Sequence, residues 1–320
     1  MAESLRRAPS SALYAGALSD PLPLKEETMG ERPSIIRPAD GESMARFGRF
    51  FFVPEPCPAA RMRLFCIPYA GSWPWVFRSW PASLPDVEVC VCWLPGRGQA
   101  QDPPAGDGLG SFVAALRLAM EPMLDKPYMI IGHSFGALVA FDLVGELERA
   151  GDPRPLRVFV SGCPTPSRFA GRPRLHDLSD EELTNVLREW EGTPSAVLGN
   201  GKLLKTTLAL VRADLRMASE QPVRKVVVDC PITAFFGASD PQTSPRDVEE
   251  WRSHTRGAFD TQQFPGGHFF IHAQAAGVLS TLGHYVATSG RDDSFAAPAD
   301  PDACVRIAKR SNGSRITHGG

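Results

Sequence analysis

Ser134 stands between two glycines in Gly132-His133-Ser134-Phe135-Gly136, and the chain later offers Asp240 and His268, each just beyond a stretch that reads as a strand. A serine hydroxyl is a poor nucleophile near neutral pH. It needs a base to take its proton and a third group to hold that base in the right tautomer. Serine, then aspartate, then histidine is the chain order in which one architecture of hydrolases supplies these parts. The chemistry implied is acyl transfer through a covalent acyl-enzyme, which needs no metal or organic cofactor.

A bare GxSxG is a weak signal, and its surroundings strengthen it. Tyr128 to Ile131 is a short apolar run and residues 137–150 are rich in helix formers, so the order is strand, sharp turn, helix. Such a nucleophile elbow forces the serine to the tip of a strained turn, with the following N–H groups aimed at incoming oxygen. Gly132 and Gly136 suit positions where a side chain would meet the neighbouring strand or helix. The competing reading is a glycine-rich turn whose serine merely caps the helix.

Asp240 follows Phe236-Gly237-Ala238-Ser239, and Pro241 turns the chain away. His268 follows Pro265-Gly266-Gly267, a pair of glycines suited to a loop that presents a side chain. Asp247 competes for the acidic role but falls in a helical stretch, 244–254. His272 competes with His268, and four-residue spacing also suits a metal pair, although no glutamate follows His268 to complete such a site. His133 reads as packing beneath the turn, and His176 and His254 as surface or satisfied core residues. Attack on a carbonyl creates an oxyanion that needs N–H donors already in place. Phe135 supplies one, and the loop around Tyr69 and Ala70 supplies the other in this architecture. The HGGG run of many lipases and esterases is absent.

These residues need a frame to bring them together. Met62 to Ile67 reads as a first buried strand that stops at Pro68-Tyr69-Ala70-Gly71. Residues 87–94 read as a second, closed by Pro95-Gly96-Arg97-Gly98, and 109–124 carry apolar residues at helical spacing. After the elbow and its helix come strands at Arg157–Ser161, Ile232–Gly237 and Phe259–Phe264. Strands alternating with helices predict an α/β fold with a mostly parallel sheet covered on both faces. Between residues 175 and 220 the alternation breaks into two or three amphipathic helical patterns, with Ser179 and Glu182 spaced as a capping box. A helical insertion there lies above the strand ends, as a lid or as an ordinary subdomain.

The 320 residues allow one large domain or two small ones, and 34 basic residues interspersed with 36 acidic ones leave no nucleic-acid footprint. Seven cysteines without regular spacing fit reduced thiols, with Cys66, Cys90 and Cys92 as small core residues. No apolar run reaches the ~20 residues that span a bilayer, and the N-terminus lacks a signal-like stretch, so a soluble cytoplasmic protein is expected. Residues 1–45, which include possible alternative starts at Met29 and Met44, and residues 289–320 read as mobile tails.

Taken together, Arg63-Leu64-Phe65-Cys66-Ile67-Pro68-Tyr69-Ala70-Gly71, Leu94-Pro95-Gly96-Arg97-Gly98, the elbow, Cys230-Pro231-Ile232-Thr233 and Phe264-Pro265-Gly266-Gly267-His268-Phe269-Phe270 resemble the discrete type II thioesterases of polyketide synthase and nonribosomal peptide synthetase clusters. The resemblance covers about residues 46–288. It implies an α/β-hydrolase fold with a helical lid at about 172–222, and a triad of Ser134, His268 and Asp240. It also implies backbone oxyanion donors at Ala70 and Phe135, and hydrolysis of stalled or mis-primed acyl groups from the phosphopantetheine arm of acyl or peptidyl carrier proteins. The expected partners are carrier domains of a synthase, with neither nucleic acid nor membrane, and the chain is expected to be a monomer. A medium-chain fatty acyl thioesterase shares these motifs. An acyltransferase would use the same acyl-enzyme; a lipase or esterase and a silent carrier-binding module are further rivals.

The first loop departs from the family by continuing Ser72-Trp73-Pro74-Trp75 in place of small residues. With Tyr69, the two indoles are candidate substrate-binding residues that would narrow the acyl pocket towards short chains such as acetyl or propionyl. The alternative is that both rings pack outward against the lid.

Overall fold

The computed structural model describes residues 50–97, 108–220 and 226–289. Both expected tails lie outside the described residues, apart from Ser289, and so does Gly98 of the second loop. The strands are β1 (Phe51–Phe52), β2 (Met62–Ile67), β3 (Val87–Cys92), β4 (Tyr128–His133), β5 (Arg157–Ser161), β6 (Ile232–Gly237) and β7 (Phe259–Phe264). They form one sheet of seven strands in the order β1-β3-β2-β4-β5-β6-β7, parallel except for β1 against β3. The longer helices are α1 (Gly108–Met120), α2 (Phe135–Ala150), α3 (Asp180–Glu189), α4 (Gly201–Ser219) and α5 (Ala275–Ser289).

The central strands are buried throughout because both faces are covered. Successive side chains leave a strand on opposite faces. Phe65, Ile67, Cys90, Ile130 and Val158 pack on one side with α1 and α2, while Leu64, Cys66, Val89, Ile131 and Phe159 pack on the other with α5. The three cysteines expected in the core are there, fully buried. Helix α2 stops at Gly151, which takes the left-handed conformation (φ 76°) that lets its N–H meet the Leu147 and Glu148 carbonyls.

Three differences from the sequence expectation have physical causes. A strand, β1, precedes the expected first one; two residues carry no period, and its pairing of Phe51 with Cys92 is non-local. The second strand ends at Cys92, before the expected Leu94. Helix α5 closes the sheet's second face through Val278, Leu279, Leu282 and Val286, in a segment whose glycines, serines and threonines weaken the local helix signal.

The helical insertion begins earlier than expected, with a short helix at Pro166–Ala170, and contains α3 and α4 as its long members. Ser179 caps α3 and Glu182 returns the bond to the Ser179 N–H, so the capping box is present. Leu183 and Leu187 of α3 meet Leu208, Val211 and Leu215 of α4 in a small core of their own. Among the described residues no helix is long and apolar enough to cross a membrane.

Candidate active site

Ser134 lies between β4 and α2 with φ 54° and ψ −120°, a conformation uncommon for a residue with a side chain. Its side chain makes no capping bond to α2, which removes the capping alternative. Its N–H is held by the Ser161 carbonyl of the neighbouring strand at 2.7 Å. The two flanking glycines explain how so sharp a turn fits. A Cβ on Gly132 would lie 1.9 Å from the Gly136 carbonyl oxygen, and one on Gly136 would lie 2.2 Å from that of Ile67. Strand, turn and helix are thus pressed backbone to backbone.

Asp240 and His268 come together from the ends of β6 and β7. The two loops are laced: Ala238 N–H reaches the Phe264 carbonyl at 2.8 Å, and Ser239 N–H reaches that of Gly266 at 2.9 Å. Gly237 has no room for a Cβ, which would meet the Gly267 carbonyl oxygen at 2.4 Å. His268 Nδ1 donates to both carboxylate oxygens of Asp240, at 3.0 and 3.1 Å, and the Asp240 Oδ1 also accepts the Gln242 N–H at 2.7 Å. Both side chains are almost wholly shielded from water. Shielding strengthens the attraction between them and fixes the imidazole with Nδ1 as the donor.

Ser134 and His268 line one open cavity, with Cys163, Phe169, Arg172, Trp190 and Gln242 among the other walls. Burial pushes the Cys163 thiol far up, so the sulfur there is a neutral wall. Trp190, just past α3, lies with its ring centroid 5.5 Å from that of His268. Two residues on, the Phe269 ring lies against Gly192, where a Cβ would come within 1.9 Å of it and the ring would have to shift. The insertion therefore lies directly over the histidine.

Asp247 is accounted for elsewhere: it forms a second capping box with Ser244 at the start of the helix Pro245–Glu249. His272 is engaged elsewhere, with Nε2 3.1 Å from the Tyr69 hydroxyl and its ring stacked on Phe269. His133 is fully buried under the turn, Nδ1 sharing a hydrogen bond with the Ser161 hydroxyl at 2.9 Å. Burial, then the nearby His268 and His272, push its pKa well below the ordinary value. His176 and His254 are buried and hydrogen-bonded, to Ser219 and to the Val226 carbonyl.

Phe135 opens α2, so its N–H has no carbonyl one turn earlier to bind. Tyr69 packs edge-on against Phe269 and His133, and burial lifts its hydroxyl to about 12. Trp73 and Trp75 are not brought to the cavity. They stack on each other, ring centroids 4.6 Å apart, with Trp93 edge-on to both, and Trp75 is 44% exposed. The turn Pro74–Phe77 sends Phe77 into the core and leaves the indoles at its outer side. Residues that sequence reasoning passed over include Trp190, Arg172 and Gln242, which line the cavity, and the buried pair Arg97 and Asp214. The signal for that pair was Asp214 itself, a charge at helical spacing on the face of α4 that Val211 and Leu215 share.

A parallel sheet with an elbow serine, and with an aspartate and histidine on later strand ends, defines an α/β-hydrolase. Residues 62–286 match the family model described as a thioesterase domain, so the chain belongs to the thioesterase family, hydrolases acting on thioesters. It is 34% identical over 216 residues to the gramicidin S biosynthesis protein GrsT of Aneurinibacillus migulanus, covering 67% of this chain and 84% of that one. It is 32% identical over 221 residues to the human medium-chain S-acyl fatty acid synthase thioesterase, covering 67% and 82%. Among solved structures it is similar to RedJ, a thioesterase from the prodiginine pathway of Streptomyces coelicolor, with TM-score 0.65 and 36% identity over 72% of this chain and 96% of that one.

Proposed function

We propose that the protein is a type II thioesterase of a polyketide or nonribosomal peptide pathway, removing acyl groups from the phosphopantetheine arm of carrier proteins. His268 takes the Ser134 proton through Nε2, and the serine oxygen attacks the thioester carbonyl. The Phe135 and Ala70 N–H groups meet the oxyanion. Its collapse expels the arm as a thiolate, which takes the proton from His268 and leaves as the free thiol. Water, activated by the same histidine, then releases the acid and restores Ser134. Asp240 holds the imidazole in the useful tautomer and stabilises the imidazolium formed in each half-reaction.

The observation that carries this reading is the shielded Asp240–His268 pair, whose histidine lines one cavity with the elbow serine. Likeness to GrsT and RedJ favours a biosynthetic carrier over a free ester, since the triad itself would serve either. The chemistry calls for no cofactor, and the protein is read as a cytoplasmic monomer that meets its carriers in solution. Intact-mass spectrometry of carrier proteins loaded with acetyl through medium-chain acyl groups tests the reading. Wild type should return the free thiol form and rank the chains, while Ser134→Ala leaves every acyl group in place. An untouched acyl carrier beside rapid cleavage of a simple oxygen ester would replace the carrier reading with a general esterase.

A further inference from the structure

The loop that leaves β2 is gripped from an unexpected direction. Asp214 projects from α4, in the helical insertion, and accepts the Gly71 N–H through Oδ2 at 2.8 Å. Arg97, from the loop after β3, holds the same carboxylate with two nitrogens, one of them at 2.8 Å from Oδ1. Its Nε also donates to the Ser72 carbonyl at 3.1 Å, and another N–H reaches the Pro95 carbonyl at 2.6 Å. Both side chains are 1% exposed. Gly71 has φ +77°, and a Cβ there would meet the Val211 methyl of α4 at 2.3 Å, so the helix is seated directly on this loop.

The grip reaches the peptide that matters through one more link. Ser72 donates its N–H to the Tyr69 carbonyl at 3.2 Å, and its hydroxyl donates to the same oxygen. That carbonyl belongs to the peptide unit that carries the Ala70 N–H. A trans peptide is planar, with N–H and C=O pointing opposite ways, so fixing the Tyr69 carbonyl fixes the direction of the Ala70 N–H. Asp214 meanwhile fixes the next peptide, between Ala70 and Gly71. A helix that only needed anchoring could bind any part of the core. This one places a buried ion pair on two peptide groups just downstream of the proposed donor, Ala70–Gly71 through Asp214 and Ser72–Trp73 through Arg97.

We propose that Asp214 and Arg97, relayed by Ser72, are positioning residues that aim the Ala70 N–H at the developing oxyanion. The inference rests on the functional reading above and adds to it a dependence of the acyl-transfer step on the helical insertion. None of the three side chains is expected to touch substrate. An oxyanion donor earns its effect only in the transition state, so a misaimed donor lowers kcat and leaves KM alone.

The test compares full-length wild type with Asp214→Asn, Arg97→Lys and Ser72→Ala on one soluble acyl pantetheine thioester. Affinity is also measured for a trifluoromethyl ketone analogue, which forms a tetrahedral adduct with an active serine. Expected are losses in kcat of about 10- to 100-fold for Asp214→Asn and Arg97→Lys, and a few-fold for Ser72→Ala, with KM within about two-fold and ketone affinity falling in parallel with kcat. Ser72→Ala keeps the ion pair and the backbone turn, so it remains informative if the charge variants fail to fold. Wild-type kcat and ketone affinity in folded Ser72→Ala, or in either charge variant with only its melting temperature lowered, would reduce the pair to a helix anchor and overturn the proposal. An inactive wild type would instead count against the functional reading.

Discussion

Gly136→Ala should damage the protein in a way its small size belies. The added methyl would lie 2.2 Å from the Ile67 carbonyl oxygen and 2.6 Å from that of Pro68. Ordinary carbon–oxygen contact begins at about 3.3 Å, so one of two backbone segments must move by roughly 1 Å. Neither is free to do so: Ile67 is paired with Gly132 in the sheet, and α2 is packed on its buried face by Ala137, Val139 and Ala140. Overpacking of this kind costs about 2–3 kcal/mol, which for a domain of this size lowers the melting temperature by roughly 4–12 °C. The displaced atoms also carry Ser134 on one side and the loop towards Ala70 on the other, and a shift of about 1 Å can cost ~100-fold in rate. Gly201→Ala is the matched control, because nothing lies within 4 Å of its added methyl. Thermal melts and thioester kinetics on both variants decide the matter. If Gly136→Ala melted with wild type and turned over at the same rate, the account of a backbone-tight elbow would be wrong.

Two other perturbations separate stability from chemistry. Glu88, fully buried, accepts from Arg63 Nε at 2.8 Å and from the Cys57 N–H at 3.0 Å, at the strand ends away from the elbow. Glu88→Gln should cost about 3 kcal/mol in urea unfolding, the low end for a broken buried pair because Asp125 and the Met123 carbonyl still hold Arg63. Activity per folded molecule should be unchanged. His133 is held neutral by burial beside Ser161, His268 and His272, so the unfolded chain takes up a proton below about pH 6.5 that the folded chain refuses there. That contribution to stability is complete above about pH 6.5 and shrinks as pH falls. The loss of urea midpoint between pH 7 and pH 5 should therefore be smaller in His133→Gln than in wild type; an equal loss would assign the acid sensitivity to other groups, such as His272, also held low by burial.

Much of the frame was legible because local signals and tertiary structure agree. Arg157–Ser161 and Ile232–Gly237 are short apolar runs, Phe259–Phe264 is a short polar stretch bounded by phenylalanines, and β6 and β7 are closed by turn residues; the three strands fall at the expected residues. Ser134, Asp240 and His268 could be singled out because each stands beside a strand end that marks itself. What stayed hidden depends on contacts distant in sequence. Arg97 and Asp214 are 117 residues apart, and nothing local to either announces the other. The indoles of Trp73 and Trp75 were equally ambiguous, since a proline turn decides which aromatic residues enter the core. Strand β1 owes its existence to pairing with β3 more than to any pattern of its own.

Trp190 gives the molecule a built-in optical probe. Its indole ring lies beside His268, and an imidazolium quenches indole fluorescence more strongly than a neutral imidazole does. Five other tryptophans emit as background, including Trp251, which has its own histidine neighbour in His254. Subtracting the emission of Trp190→Phe from that of wild type isolates the one indole that reports on His268. The proton on that histidine can then be followed in the resting protein, with no substrate, label or turnover.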